Sequence, residues 1–308
     1  MIDPIFQNAV VYASLLSLLC VGFTLTYLAS RIPNFAHGTM ATIGVYISFN
    51  AGFIWNVNPY YTLPLAFIFC GLVSLFIYIF VLGALKKVGA TRLFMSISMI
   101  AVQMILGAFL NIYAEYVRTV LGLISQAFLL RHYDFRLFNI RGIFFFSSIL
   151  VFSIVTLLYI MLTKTKFGIA MRGTVENPSL ATIHGINTEL VIKVAWFLTG
   201  GPAGVAGALV PFCFQGGTGL GTSFLISIMG GSILGGLSSI YGAVIGGYIL
   251  GLSEILGTRY LASWFGSWVT SYRILIPLII LSTTLLVAPE GIIGIIETYR
   301  MKRSVKKG

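Results

Sequence analysis

The loop between residues 163 and 187 combines several residue types that mark the ends of helices. Asn177 is a favourable helix cap, Pro178 suits a first helical position, and Gly185 suits the left-handed residue that follows a helix. Together these signals predict a short helix over residues 178–184. The loop therefore carries a structured element of its own.

This short helix has a small apolar face. Leu180 and Ile183 lie three residues apart and share that face, with Ala181 beside them. Such a face could dock on a partner protein by burying apolar side chains, and three cations surround it: Lys164, Lys166 and Arg172. The alternative is a solvated linker that merely caps itself.

A second candidate site follows Pro33, which bars a continuous helix at that point. Asn34 can cap a new helix, whose N-terminus would attract negatively charged groups along a transport pathway. His37 and Gly38 follow inside an apolar segment, where an ionisable side chain points to function. The alternative for His37 is a neutral core residue that forms a hydrogen bond.

The third candidate region is rich in glycine. Gly231 and Gly235 lie four residues apart on one helix face, and the pairs Gly242/Gly246 and Gly247/Gly251 repeat this spacing. Such spacing lets helix backbones approach closely in lipid. This spacing has two possible roles: close packing within the chain, or a dimer seam or mobile wall of the transport pathway. The pathway candidates in this region are Gly231, Gly235 and Gly236.

Residues for bond-making chemistry are sparse. Only Glu254 lies deep in an apolar segment, where it could serve an ion-coupled carrier, reach the interface or pair with Arg259. No zinc-protease motif, catalytic triad order or close carboxylate pair occurs. Three cysteines are isolated in apolar runs and read as small core residues: Cys20, Cys70 and Cys213. The sequence predicts no catalytic, metal or cofactor site.

The elements that carry these residues are membrane-spanning helices. The 308 residues are 58% hydrophobic and 9% charged, too few charges to cover a soluble domain of this size. A helix crosses the hydrocarbon in about 20 apolar residues. Nine apolar segments occur: residues 8–30, 36–54, 62–85, 93–114, 142–163, 189–212, 223–238, 241–257 and 273–288. We predict an all-α integral membrane protein with about eight or nine transmembrane helices.

The charges of the connecting segments predict the orientation. With the N-terminus outside, twelve cations fall on the inner side and six on the outer side. This arrangement gives one transmembrane domain, 1–308, with a basic outer loop, 115–141, and a basic cytoplasmic tail, 298–308. Because the net charge of +11 sits at segment ends, it indicates topology rather than nucleic-acid binding.

Two Gly-interrupted segments lie in corresponding places in the two halves of the chain. Residues 34–50 and 224–248 are both short apolar stretches broken by glycine. Such pairs predict an internal repeat with a transport pathway between the halves. Either segment could cross the membrane fully or enter and leave on one side.

The chain resembles the permeases of branched-chain amino acid ABC importers, the group that carries hydrophobic amino acids, amides and urea. The resemblance covers nearly the whole chain and depends on the order of many short motifs. They are Asn34–Gly38 with Gly44; Phe167, Gly168, Met171 and Arg172; Glu176, Asn177, Pro178, Ala181 and Gly185–Asn187; Gly200, Gly201 and Ala203–Gly207; Gly235, Gly236, Ser239, Gly242, Ala243, Gly246 and Gly247; and Pro289, Gly291 and Gly294.

The resemblance implies that residues 163–187 are the coupling loop, which docks on a separate ATPase subunit. The coupling residues it implies are Arg172, Glu176, Asn177, Pro178, Leu180, Ala181, Ile183 and Gly185. It further implies two ATPases, a second permease that is homologous or identical, an extracytoplasmic solute-binding protein and a small-molecule substrate. The protein would then be a permease in the lipid of the plasma membrane and not itself an enzyme.

Some residues depart from the family pattern. Ala288 and Glu290 flank Pro289, His184 precedes Gly185, and the loop 115–141 has no counterpart we can match. These departures leave the substrate and the ATPase contact open. An ion-coupled secondary transporter that uses Glu254 and a channel-like membrane protein without ATP coupling are the alternatives.

Overall fold

The computed structural model describes residues 3–137 and 140–295, and these are mostly helical. Twelve α-helices occur in this part of the chain: α1 (Pro4–Ser30), α2 (His37–Phe49), α3 (Leu63–Ile77), α4 (Gly83–Lys87), α5 (Arg92–Leu121), α6 (Gly142–Lys164), α7 (Lys166–Glu176), α8 (Pro178–Ile183), α9 (Thr188–Leu209), α10 (Leu220–Gly235), α11 (Ile240–Phe265) and α12 (Leu275–Val287). A small antiparallel hairpin pairs β1 (Arg136–Leu137) with β2 (Ile140–Arg141).

Short 3₁₀ and π turns extend or join several helices. They are Asn50–Ile54, Pro59–Thr62, Tyr78–Leu82, Arg131–Tyr133, Val210–Phe212 and Ser267–Tyr272. Because of these turns, α3 and α4 form one helical rod, Pro59–Lys87. Likewise α2 continues through the π turn that follows it.

Seven helices of the described chain are long and apolar enough to cross a membrane. They are Pro4–Ser30, Pro59–Lys87, Arg92–Leu121, Gly142–Lys164, Thr188–Phe212, Ile240–Phe265 and Leu275–Ile295. The two remaining predicted segments are the shorter helices α2 and α10, which are the Gly-interrupted ones. The prediction of an all-α integral membrane protein with eight or nine apolar helices, some of them short, is confirmed.

Helix α1 lies at the centre of the molecule. Its apolar residues are spread around the whole circumference, and most of its side chains are buried. Helix α11 runs antiparallel to it, and Gly247 and Gly251 pack directly against Ser17 and Ala13. The small residues let the two backbones approach, as expected for helices that pack in lipid.

Helices α3, α9 and α2 form the other half of the core. Gly204 of α9 packs against Cys70 of α3 and also meets Gly44 of α2. The Ser74 hydroxyl donates a hydrogen bond of 2.6 Å to the carbonyl oxygen of Trp196, which ties α3 to α9. These contacts hold α2 inside a cage of longer helices.

The prediction that the outer loop begins at residue 115 is wrong, because α5 continues to Leu121. An ion pair of 2.6 Å between Arg118 and Glu115 supports this last part of the helix, and Gly122 ends it with a φ of +67°. The loop is therefore 122–141. The predicted basic tail, 298–308, lies outside the described residues.

Candidate functional site

Residues 163–187 contain two capped helices, α7 and α8. The Thr165 hydroxyl accepts a hydrogen bond from the Gly168 amide at the start of α7. Asn177 caps α8, since its side-chain oxygen accepts a 3.0 Å hydrogen bond from the Leu180 amide. Gly185 follows α8 with a φ of +78°. The short helix predicted from the sequence is present and ends one residue earlier, at Ile183, while α7 had not been predicted.

The exposed face of α8 is apolar. Leu180 is 51% exposed and Ile183 is 79% exposed, although both are large aliphatic residues. Ala181 is only 4% exposed, so it faces the body of the protein and not the surface with the other two. The structure thus separates two residues that could contact a partner from one that anchors the helix.

Helix α7 attaches this element to the transmembrane body. Met171 is buried in a small cluster with Leu25 and Ala29 of α1 and with Val191 and Ala195 of α9. Gly168 lies so close to the last turn of α6 that a Cβ there would collide with the carbonyl oxygen of Leu162. Helix α7 is therefore packed tightly against α1, α6 and α9.

The charged candidates of the loop lie at the rim of a cavity of about 470 Å³ between α1, α6, α7 and the turn before α11. Arg172 donates a 2.7 Å hydrogen bond to the carbonyl oxygen of Leu162, and Glu176 is exposed. Arg31, on the opposite wall, adds a second cation. The end of α1 and the turn before α11 complete the lining of this cavity beside α7.

The first turns of α2 and α10 cross each other, and the start of α2 is buried. A Cβ on Gly38 would collide with the carbonyl oxygen of Gly221, so the two backbones touch. His37 Nε2 lies 3.0 Å from the carbonyl oxygen of Leu19, near the middle of α1. Neither helix has a side-chain cap. The N-terminal ends of the two helices, which carry partial positive charge, therefore lie side by side.

Two polar side chains beside this crossing have unsatisfied atoms. Asn34 and His37 are fully buried, and neither amide atom of Asn34 nor Nδ1 of His37 has a hydrogen-bond partner among the described residues. The Phe23 ring stands edge-on to His37, with 6.2 Å between centroids. A neutral His37 that donates from Nε2 to Leu19 fits this geometry.

The glycines of the second half make close contacts within the chain. Gly235 meets the backbone of Gly242, while Gly231 meets Gly247 and the sulfur of Cys20. Gly236 has a φ of +106° and turns the chain between α10 and α11. Packing within one chain, one of the two roles open from the sequence, therefore accounts for the spacing of these glycines.

A buried polar network that the sequence did not predict surrounds Glu254. Its Oε1 is 2.6 Å from Nε of Arg273, and its Oε2 accepts hydrogen bonds of 2.9 Å from Tyr12 and Ser227. The expected partner, Arg259, is not the one found. Residues 254 and 259 are five apart on one helix and point to different sides, whereas Arg273 folds back onto α11 through the turn Ser267–Tyr272.

No group of three or more metal-ligating side chains converges within the described residues. The Gly-rich turn 216–221 holds no phosphate cradle, because Gly216 and Gly217 are packed against Phe128 and the Gln126 carbonyl. The candidate site residues thus lie in two places, the α7–α8 segment and the crossing of α2 with α10.

The chain is similar to a family of transport permeases. Residues 5–285 match the family described as the permease component of the branched-chain amino acid transport system. A probable branched-chain amino acid transport permease, LivH of Methanocaldococcus jannaschii, is 41% identical over 97% of this chain and 94% of its own length. LivH of Escherichia coli K12, a high-affinity branched-chain amino acid permease, is 29% identical over 93% and 94%.

Among solved structures, PsaBC from Streptococcus pneumoniae in complex with Fab shares the fold. The TM-score is 0.53 with 14% sequence identity, and the match covers 94% of both chains. At this identity the likeness concerns the fold alone. The match to the family over nearly the whole length, together with the 41% identical relative, shows that this chain belongs to the branched-chain amino acid transport permease family.

Proposed function

We propose that this protein is the transmembrane permease subunit of an ABC importer for a branched-chain amino acid. The observation that carries the proposal is the α7–α8 element, which presents Leu180 and Ile183 to solvent on a capped helix while Met171 anchors it in the core. Exposed apolar side chains on a firmly held helix suit the groove of a partner protein. The names of the relatives support the choice of solute.

The mechanism follows from how the element is held. ATP binding closes the partner ATPases, and the α8 face moves with the surface on which it docks. Because Met171 packs against both α1 and α9, this motion shifts two helices of the body against their neighbours. The protein then changes which side of the pathway is open, as expected for alternating access.

The remaining parts of the importer lie on other chains. ATP hydrolysis belongs to two ATPase subunits, so the permease itself is not an enzyme. A second permease, homologous or identical, completes the pathway, and a solute-binding protein delivers the amino acid from outside. We place the protein in the plasma membrane with the N-terminus outside, which puts the coupling loop on the ATPase side, in agreement with the charge bias of its connections.

The sequence-derived pathway candidates lie in the packed interior. Asn34, His37 and Gly38 sit at the crossing of α2 with α10, and Gly231, Gly235 and Gly236 support the same helix. We infer that they form the point about which α2 and α10 shift during transport. Contacts between glycine backbones allow such sliding because no side chain has to be displaced.

An ion-coupled carrier is disfavoured by the surroundings of Glu254. A carboxylate that binds and releases a coupling ion needs an accessible oxygen. Both oxygens of Glu254 are occupied by Arg273, Tyr12 and Ser227, and the residue is 4% exposed. The network therefore fits a fixed structural contact.

The test is affinity purification of the tagged protein in mild detergent with identification of the co-purifying chains. We expect a P-loop ATPase, and we expect the double variant Leu180→Asp with Ile183→Asp to lose it together with ATP-dependent uptake. Ser179→Asp is the matched control, since it adds one charge to the exposed first turn of the same helix, where an acid is favourable. An ATPase retained by the double variant would contradict the docking role.

A further inference from the structure

Helix α5 is among the most exposed of the long helices, and few of its side chains are buried. Most of its exposed side chains are large and apolar, as a helix in contact with lipid requires; examples are Phe94, Ile105, Phe109 and Ile112. Within the described chain, α5 packs mainly against α2 and against the loop that follows α5. Most of its outward surface is not covered by other helices of the described chain.

One face of this helix breaks the apolar pattern. Gln103, Gly107 and Asn111 follow each other at intervals of four residues and therefore line up along the helix. Gly107 lies at the midpoint of Arg92–Leu121. With a rise of 1.5 Å per residue, each amide lies only about 6 Å from that midpoint. Neither side chain is long enough to reach the membrane surface.

The hydrogen-bonding capacity of this face is largely unused. Asn111 is exposed and donates a single 3.0 Å hydrogen bond to the carbonyl oxygen of Gly107. Gln103 is half-exposed and has no hydrogen-bond partner among the described residues. A Cβ at Gly107 would meet no atom within 4 Å, so the space between the two amides is open.

Such a face cannot lie stably in lipid tails, because polar groups without partners are costly there. Polar residues in membrane helices usually face a water-filled cavity or other protein. We propose that Gln103, Gly107 and Asn111 line the water-filled route of the solute, and that the two amides bind the charged backbone groups of an amino acid. This inference rests on the proposed transport function and adds the surface that meets the solute.

The chemistry of the face suits a zwitterion. A primary amide has both donors and an acceptor, so it can pair with a carboxylate on one side and an ammonium group on the other. Gly107 leaves room between the amides for the solute to pass close to the backbone. The apolar neighbour Met104, 71% exposed, could contact an aliphatic side chain.

The test places single cysteines along α5 of the full-length protein in membrane vesicles. The probe is a membrane-impermeant thiosulfonate reagent, and unreacted thiols are counted after denaturation. Gln103→Cys, Gly107→Cys and Asn111→Cys should react at least tenfold faster than the matched controls Ile105→Cys and Ile112→Cys, which lie on the lipid side of the same helix. The native Cys20, Cys70 and Cys213 are buried and set the background.

A second measurement tests contact with the solute. Asn111→Leu should raise the KM for L-leucine uptake at least tenfold and leave ATPase co-purification intact, whereas Ile112→Leu should change neither. Equal labelling of the two sets of cysteines would overturn the route assignment, and an unchanged KM in Asn111→Leu would overturn the binding role. Failure of an ATPase to co-purify with the unmodified protein would instead count against the proposed function.

Discussion

The guanidinium of Arg273 lies 2.6 Å from a carboxylate oxygen of Glu254 and stacks over the ring of Tyr12 at 4.4 Å. This pair joins the chain just before α12 to α11, and the Tyr12 and Ser227 hydroxyls add α1 and α10. Four segments that lie far apart in the sequence thus meet at one ion pair. Each polar group of this network has a partner. Removal of one member would leave the others buried without partners, so the network stabilises the fold only when all its members are present.

We expect Glu254→Ala to lower the free energy of unfolding by about 3–5 kcal/mol, because it leaves Arg273 without its counter-charge in a largely buried position. The double variant Glu254→Gln with Arg273→Met should recover most of the loss. Thermal unfolding in detergent measures both. Glu115→Ala is the control, since its pair with Arg118 is exposed and contributes less than about 1 kcal/mol. Equal losses for Glu254→Ala and Glu115→Ala would contradict this account.

The cap of α8 should determine how well the docking helix is formed. Asn177→Ala removes the acceptor of the Leu180 amide and should destabilise the helix by about 1 kcal/mol. Asn177→Asp keeps an acceptor and should behave as the parent. Hydrogen exchange of the amides from Leu180 to Ile183 reports the difference. Identical exchange in the alanine and aspartate variants would show that the cap is not needed.

Two glycines should respond in opposite ways to alanine. A Cβ on Gly207 would collide with the carbonyl oxygen of Ala41, so Gly207→Ala must separate α9 from α2 at a cost of about 1–3 kcal/mol. Gly173 lies inside α7, and its nearest contact would be Ile186 at 3.8 Å. Gly173→Ala should therefore stabilise the protein by about 0.4–1 kcal/mol. The melting temperatures of the two variants check both signs.

The loop after α5 should be sensitive to pH through Asp134. Burial raises the pKa of this carboxyl, and it outweighs the lowering by the hydrogen bonds from Tyr60 and Ile143 and by the nearby Arg141. One carboxylate oxygen is buried without a partner. Since the folded state then favours the protonated acid, the contribution of Asp134 to stability grows as pH falls through the raised pKa and is lost as pH rises through it.

Asp134→Asn should remove this dependence. Its amide oxygen can still accept from the Tyr60 hydroxyl, which lies 2.9 Å from the present carboxylate oxygen. The variant should match or exceed the parent in thermal stability at neutral pH, and the gap should close towards about pH 4, the ordinary pKa of an aspartate. A gap that is constant with pH would assign the effect to packing.

The sequence by itself determined the membrane class, the nine apolar segments and the short helix of the coupling loop. Each depends on local chemistry: apolar runs long enough to cross lipid, and the side chain of Asn177 with Gly185 at the two ends of α8. The order of short motifs from Asn34 to Gly294 also indicated the family. None of these needs a contact between distant residues.

The tertiary structure decided which residues share a surface. The partner of Glu254 is Arg273 and not Arg259, because the turn before α12 brings residue 273 back to α11. Ala181 faces the core while Leu180 and Ile183 face solvent, because α8 packs against α7 and α9 on one side only. The polar face of α5 can be identified only from the structure, because the sequence does not show that no other helix packs against Gly107. Periodicity gives the spacing of residues on a helix, but what each face meets is set by packing with other helices.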